Sequence, residues 1–248
     1  MQIKELYKKD IYRGNLILVN DQYPVRLPVI QLESWMDSTY QNQKTVSYLL
    51  KQCFCKLGLK DEIVLTSAYR TFQEQQQLYE GSCKENGRVW TKQYVAKAGH
   101  SEHETGLAID LSIRHDQQNM ICPDFPYDGI AKKFRDICKD YGFIERYPQD
   151  KEKHTHIARE SWHFRYVGFP HSYIMQKENL CLEEYHQFLK QYSLYQPYIY
   201  VIKNKLFEIF YVPMIQEKTV IALKNEALYQ VSGNNHDGFI VTVWRKQV

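Results

Sequence analysis

Residues 99–113 read GHSEHETGLAIDLSI. The second half, LAIDLSI (107–113), alternates and predicts a strand, with Ala108 and Asp110 on one face and Leu107, Ile109 and Leu111 turned to the core. The first half is polar and carries His103 seven residues ahead of Asp110, with Gly106 between them to permit a sharp bend. An Asp in an apolar strand is costly to bury unless something positive meets it. A loop-borne imidazole folded back beside the strand-borne carboxylate, with a metal ion between them, would meet that need. A plainer reading stands beside it, in which Ser101 is an N-cap, His103 is incidental and Asp110 is salt-bridged.

Outward from this stretch, the flanking segments predict an α+β core. VSYLLKQCFCKLG (46–58) reads as an amphipathic helix closed by Gly58, and IVLTS (63–67) as a buried strand that exits into Ala68-Tyr69-Arg70. Thr71 is placed to cap a helix running to about Cys83. Downstream, residues 128–141 predict a helix stopped at Gly142, WHFRYV (162–167) a strand, and LEEYHQFLKQY (182–192) a helix. From about Tyr195 the pattern changes to short β-branched and aromatic runs, YIYVIK, LFEIFYV, TVIALK, ALYQVS and FIVTVW, separated by turn-type residues. The expected organisation is therefore a core of residues 1–194 and a small β-rich appendage of residues 195–248. The alternative, that these strands extend the core's own sheet, is equally compatible with the periodicity.

The bulk properties narrow the class of function. The chain has 248 residues, 44% hydrophobic and 25% charged, as expected of a globular protein with a substantial core. A formal net charge of +3 with interspersed signs argues against a nucleic-acid surface, which needs a basic stripe. The N-terminus has no signal-type apolar region, LILV (16–19) being its longest apolar run, and no stretch approaches the ~20 apolar residues of a membrane helix. A cytoplasmic protein without a membrane anchor is expected. The six cysteines are scattered and form no CxxC, so they read as reduced thiols without a metal role.

A second informative segment is Glu160-Ser-Trp-His-Phe-Arg-Tyr-Val-Gly168. His163 with His103 and Asp110 would supply three ligands and leave a fourth zinc position open, the arrangement of catalytic rather than structural zinc. A carboxylate beside the metal is then needed to move a proton, and Glu160, three residues before His163, is suitably placed. No HExxH is present, so a thermolysin-type helix site is excluded. Arg70, leaving a strand where loops gather, is a candidate anion or carbonyl binder or a structural salt-bridge partner. His100, His115, His154, His156, His171, His186 and His236 read as surface or core residues; the His154/His156 pair is the best decoy, because i, i+2 spacing would put both rings on one strand face.

These motifs resemble a known family. Ser101-x-His103-x-x-Gly-x-Ala-x-Asp110 followed by Glu160-x-Trp162-His163 is similar to the signature of the zinc D,D-peptidases, which include D-Ala-D-Ala dipeptidases and carboxypeptidases. Ser67-Ala-Tyr-Arg70 and Gln75-x-x-Leu78-Tyr79 resemble that family's arginine motif, and phrases such as KENG, RYPQDK and WHFRYVGFPHS look most like the bifunctional VanXY type of vancomycin resistance. The resemblance runs from roughly residue 11 to 192. It implies a central antiparallel sheet flanked by helices, Zn2+ held by His103, Asp110 and His163, Glu160 as base, and Arg70 on the scissile carbonyl. It further implies Ser101 on the substrate's terminal carboxylate, with Gln75 and Trp162 as additional substrate contacts. The departures are Ala68 where Gly is usual, Ala98 and Ser161 where Pro is usual, and Glu104 where Gln is usual; the last adds negative charge to the metal loop. The implied substrates are free D-Ala-D-Ala and cytosolic peptidoglycan precursors ending in it, with a homodimer left open. An L,D-carboxypeptidase or wall-trimming peptidase with the same site, and a wall-binding module without turnover, are the rival readings.

Overall fold

The computed structural model describes residues 1–29, 31–36, 38–59, 61–114 and 121–245, so His115 lies outside the described residues. Through the first two thirds the elements are β1 (Gln2–Tyr7), β2 (Leu32–Ser34), β3 (Gln41–Gln43), α1 (Lys44–Leu57), β4 (Ile63–Ser67), α2 (Phe72–Asn86), α3 (Arg88–Tyr94), β5 (Ala108–Ile113), α4 (Gly129–Cys138), β6 (Phe143–Tyr147), α5 (Glu152–Thr155) and β7 (Glu160–Tyr166). Then follow α6 (His171–Lys177), α7 (Leu182–Leu189), β8 (Tyr198–Ile202), β9 (Lys205–Pro213), β10 (Lys218–Leu223), β11 (Leu228–Gly233) and β12 (Gly238–Arg245). No helix among the described residues is long and apolar enough to cross a membrane.

The chain divides into two compact units, residues 19–181 and residues 1–18 with 182–248. In the first, β4, β5, β7 and β6 form a four-stranded sheet in that order, with every neighbouring pair antiparallel. α1 buries Val46, Leu50, Cys53 and Phe54, the i, i+4, i+7, i+8 stripe of an amphipathic helix, and Gly58 ends it in the left-handed conformation at φ 67°. α2 is opened by Thr71 through a capping box with Glu74 and continues three residues past Cys83, to Asn86. Aromatic rings pack edge to face beside the sheet: Phe134 meets Phe164 at 5.0 Å and Phe54 at 6.0 Å, and Phe125 meets Phe164 at 5.5 Å.

The sheet register is what positions the chemistry. Asp110 on β5 lies opposite Ser67 of β4 on one side and His163 of β7 on the other, while Glu160 of β7 lies opposite Tyr147 of β6. β5 is buried on both faces: Ala108 is fully buried and Asp110 only 6% exposed, alongside Leu107, Ile109 and Leu111. That burial sharpens the demand for a positive partner at Asp110.

In the second unit, β11, β12, β9 and β8 form their own antiparallel sheet and β1 pairs with β10, so the C-terminal strands do not extend the sheet of residues 19–181. The division differs from the expected break near 195. The N-terminal strand runs antiparallel to β10 from Gln2↔Leu223 to Tyr7↔Lys218, and α7 groups with these strands. Leu6, Ile11, Phe210, Ile221, Phe239 and Val241 make one apolar core.

Candidate metal centre and active-site cleft

His103 sits on a single 3-10 turn, Glu102–Thr105, between a cap and a bend. Ser101 Oγ accepts the His103 N–H at 3.3 Å, and the Glu104 carboxylate accepts the N–H groups of Ser101 at 3.2 Å and Gly99 at 2.8 Å. Gly106 closes the turn at φ 67°, a left-handed conformation that a Cβ would strain, and it delivers the chain directly into β5. The imidazole is held from behind: Nδ1 lies 2.6 Å from the Ala68 carbonyl, so it carries the proton there and leaves the Nε2 lone pair facing forward.

Nε2 of His103 lies 3.1 Å from Asp110 Oδ2, and Nδ1 of His163 lies 3.0 Å from Asp110 Oδ1. The three candidate ligand atoms are within 4.8 Å of one another, and all three residues are buried. Glu160 Oε2 stands 3.6 Å from the same His163 Nδ1. Burial, helped by nearby Arg70, holds the His103 pKa down to about 4, so this imidazole is neutral and able to ligate. Burial also opposes charge on His163, but the facing carboxylates of Asp110 and Glu102 outweigh it and push its pKa up to about 9. Glu160 is pushed up to about 8, chiefly by burial, with His163 pulling the other way. Two imidazoles and one carboxylate, converging and shielded from water, are a donor set that can hold a divalent metal ion and leave room for water or substrate.

Arg70 enters the same cleft from the end of β4. Its Nε donates to Gln75 Oε1 at 2.8 Å, Nη1 donates to Ser67 Oγ, and its backbone N–H donates to the His103 carbonyl at 3.3 Å. The guanidinium is thus tied both to its strand and to the histidine turn. Arg70, Ser101, His103, Asp110, Glu160, Trp162 and His163 all line one cleft, together with Tyr94, Tyr147 and Ile157.

With this geometry in place, the sequence pattern of the D-alanyl-D-alanine carboxypeptidase (VanY) family matches residues 41–169, a span that contains every one of these polar groups. The chain belongs to the VanY family. It is 41% identical to the bifunctional D-Ala-D-Ala dipeptidase and D-Ala-D-Ala carboxypeptidase VanXYC of Enterococcus gallinarum, over 72% of this chain and 96% of that protein. Its fold is similar to that of the vancomycin-resistance D,D-dipeptidase VanXYg in complex with a D-Ala-D-Ala phosphinate analogue, at 46% identity and TM-score 0.96, covering 98% of this chain and 99% of that one. A VanY D,D-pentapeptidase from a VanB-type cassette, determined in complex with Zn(II), is 27% identical at TM-score 0.58, covering 69% of this chain and 98% of that one.

Within this VanY-family cleft, two residues stand in places the sequence did not suggest. Gln75 is fully buried and does not line the cleft; its amide donates to the Ala96 carbonyl at 2.7 Å while its oxygen holds Arg70. Glu104 folds back onto backbone N–H groups, so its charge organises the turn. The structure also adds a residue: Glu102, fully enclosed, receives Arg146 Nε at 2.8 Å and Arg165 Nη1 at 2.6 Å on one oxygen, while its other oxygen lies 3.6 Å from His163 Nε2. Burial works against this charge, but the two guanidiniums hold the Glu102 carboxyl well below its usual range. A recognisable signal existed: Arg165 interrupts the apolar run Phe164-Arg165-Tyr166-Val167, and a charge in such a strand requires a buried partner. The decoy histidines are exposed, His154 on α5 and His156 at its left-handed cap, not on a strand. A larger cavity of about 470 Å³ in the same unit shares no lining residue with the cleft, whose own volume is about 50 Å³. The converging titratable groups, not size, mark the site.

Proposed function

We propose that this protein is a zinc-dependent D,D-peptidase that hydrolyses D-Ala-D-Ala and removes the terminal D-Ala of cytosolic peptidoglycan precursors, thereby contributing to vancomycin resistance. The observation that carries the reading is the buried His103–Asp110–His163 cluster with Glu160 3.6 Å from His163 Nδ1. Similarity to VanXYC, a bifunctional dipeptidase and carboxypeptidase, supports both activities.

In this reading His103 through Nε2, Asp110 through its carboxylate and His163 through Nδ1 hold zinc. When bound, zinc supplies a Lewis acid that acidifies the attacking water and polarises the scissile carbonyl. Glu160 takes the proton from that water and passes it to the departing amine. Its buried position keeps the carboxylate poorly solvated and so a stronger base than an exposed one. Arg70, fixed by Ser67 and Gln75, holds the oxygen of the scissile carbonyl as negative charge develops there. Ser101 receives the substrate's terminal carboxylate and Trp162 forms a wall of the cleft. Gln75 contributes by orienting Arg70.

The test is hydrolysis of D-Ala-D-Ala, of an N-acylated pentapeptide ending in it and of an L,D-linked peptide, each with and without chelator. Chelator-sensitive release of D-Ala from the first two, with the third spared, is expected. Preference for the L,D-linked peptide, or turnover indifferent to chelator, overturns the assignment.

A further inference from the structure

The two histidines of the cluster face inward with opposite nitrogens, and each choice needs a cause. For His103 the cause is the Ala68 carbonyl, which accepts from Nδ1 at 2.6 Å. His163 turns Nδ1 inward, toward Asp110, and its Nε2 points away to a fully buried atom, Glu102 Oε2, 3.6 Å off. Neither Nε2 of His163 nor Oε2 of Glu102 has a hydrogen-bond partner, although both are enclosed. Two orphaned polar atoms that face one another are each other's natural complement, and leaving either unmet is costly.

We propose that Glu102 is the positioning residue for His163: clamped between Arg146 and Arg165, it accepts the Nε2 proton and so fixes the tautomer and the ring plane that present Nδ1 to the metal. This inference rests on the proposed zinc site and deepens it.

The clamp explains why a carboxylate can serve here. Both arginines reach the same oxygen, Oε1, from strands β6 and β7, and all three side chains are fully buried. Two positive charges against one negative keep Glu102 ionised, and an ionised carboxylate only accepts hydrogen bonds. The imidazole nitrogen facing it must then be the protonated one, which leaves the lone pair on Nδ1. A carboxylate behind a ligating histidine also makes the ring a better donor to the metal, an effect whose loss typically weakens metal binding roughly 10–100-fold. A purely structural Glu102, present only to neutralise the arginines, would not need to direct its second oxygen at His163.

The test uses the full chain. Glu102→Gln keeps the shape but cannot satisfy two guanidiniums and the imidazole together. Zinc affinity, read by competition with a chromophoric chelator, is expected to fall roughly 10–100-fold, and the visible spectrum of the Co(II)-substituted protein is expected to shift as the His163 ring reorients. Unchanged affinity and an unchanged Co(II) spectrum, alongside a lowered Tm, would make Glu102 structural and overturn the proposal. A second measurement needs no variant: long-range ¹H–¹⁵N spectra of zinc-loaded wild-type protein should show His163 protonated at Nε2 and metal-bound through Nδ1. Metal on Nε2 overturns the inference alone, whereas wild-type protein that binds no zinc overturns the proposed function as well.

Discussion

The two units of the chain differ in where buried charge collects. In residues 19–181 a set of charged or titratable groups lies enclosed among the neutral ones and converges on one place: Glu102, His103, Asp110, Arg146, Glu160, His163 and Arg165. Several are incompletely satisfied, with orphaned atoms on Glu102, Asp110 and His163. In the other unit the enclosed polar groups are mostly neutral and answer backbone. Ser232 Oγ accepts the Leu16 N–H at 2.9 Å, Asn235 Nδ2 donates to the Leu18 carbonyl at 2.8 Å, and Asn234 Oδ1 accepts three successive N–H groups at 3.0 Å. One arrangement holds charge ready for a ligand; the other ties a chain terminus to a sheet. Buried charge without full compensation persists where function requires it, whereas buried neutral groups serve the fold.

The sharpest way to break this contrast is at Glu160. Glu160→Gln preserves shape and removes basicity, so kcat should fall by roughly 10²–10⁴-fold while zinc content stays intact. Full turnover with zinc bound would remove Glu160 from the chemistry and leave its burial unexplained.

Arg70 comes next in size. Arg70→Lys replaces a planar fork, held on two sides by Gln75 and Ser67, with a flexible point charge. A kcat loss of roughly 10²–10³-fold is expected, the scale of one oxyanion donor. A variant within a few-fold of wild type would return Arg70 to a structural salt-bridge role.

The linkage between metal and proton provides a third test. His163 in the metal-free cluster is protonated up to about pH 9, and ligation requires its neutral form. Metal uptake at neutral pH should therefore release at least one proton, from His163 and in part from Glu160, and apparent affinity should rise as pH rises toward 9. Calorimetry in buffers of different ionisation enthalpy reads the proton directly. Metal binding without proton release, and with affinity flat between pH 6 and 9, would contradict the charge state assigned to His163.

The smallest expected effect lies in the other unit. Asn235→Ala removes the donor to Leu18 and leaves a buried carbonyl unmet, so stability should drop by about 1–3 kcal/mol, seen as a lower Tm. Zinc content and kcat should not change. Loss of activity in folded, zinc-loaded Asn235→Ala would show that this unit shapes the chemistry.

What the sequence disclosed follows from how local each signal is. The cap, the ligand, the Gly106 bend and Asp110 lie within ten residues, and Glu160 precedes His163 by three, so residue chemistry and spacing raise the metal reading beside the plain salt-bridge one, and the family resemblance favours the first. Glu102 sits in that same stretch, yet its partners are 44 and 63 residues away, and beside His103 it looks like an ordinary surface acid. Gln75 is placed in the substrate pocket by the family resemblance alone; only the tertiary fold shows its amide spanning Arg70 and Ala96. β1 leaves no local signal for the same reason: its partner β10 lies more than two hundred residues downstream, and KELYKK carries no hairpin turn to announce it. β6, FIERY, was hidden by Glu145 and Arg146, whose charges are matched by Arg135 and Glu102.

The central claim is that one zinc ion held by His103, Asp110 and His163 is required for hydrolysis of D-Ala-D-Ala. The direct measurement is zinc per chain alongside D-Ala release, for wild type and His103→Ala, before and after chelation and re-addition of zinc. The account predicts about one zinc ion per wild-type chain, activity lost on chelation and restored by zinc, and both zinc and activity lost in the variant. Stoichiometric zinc in His103→Ala, or full turnover by the stripped wild-type protein, would contradict it.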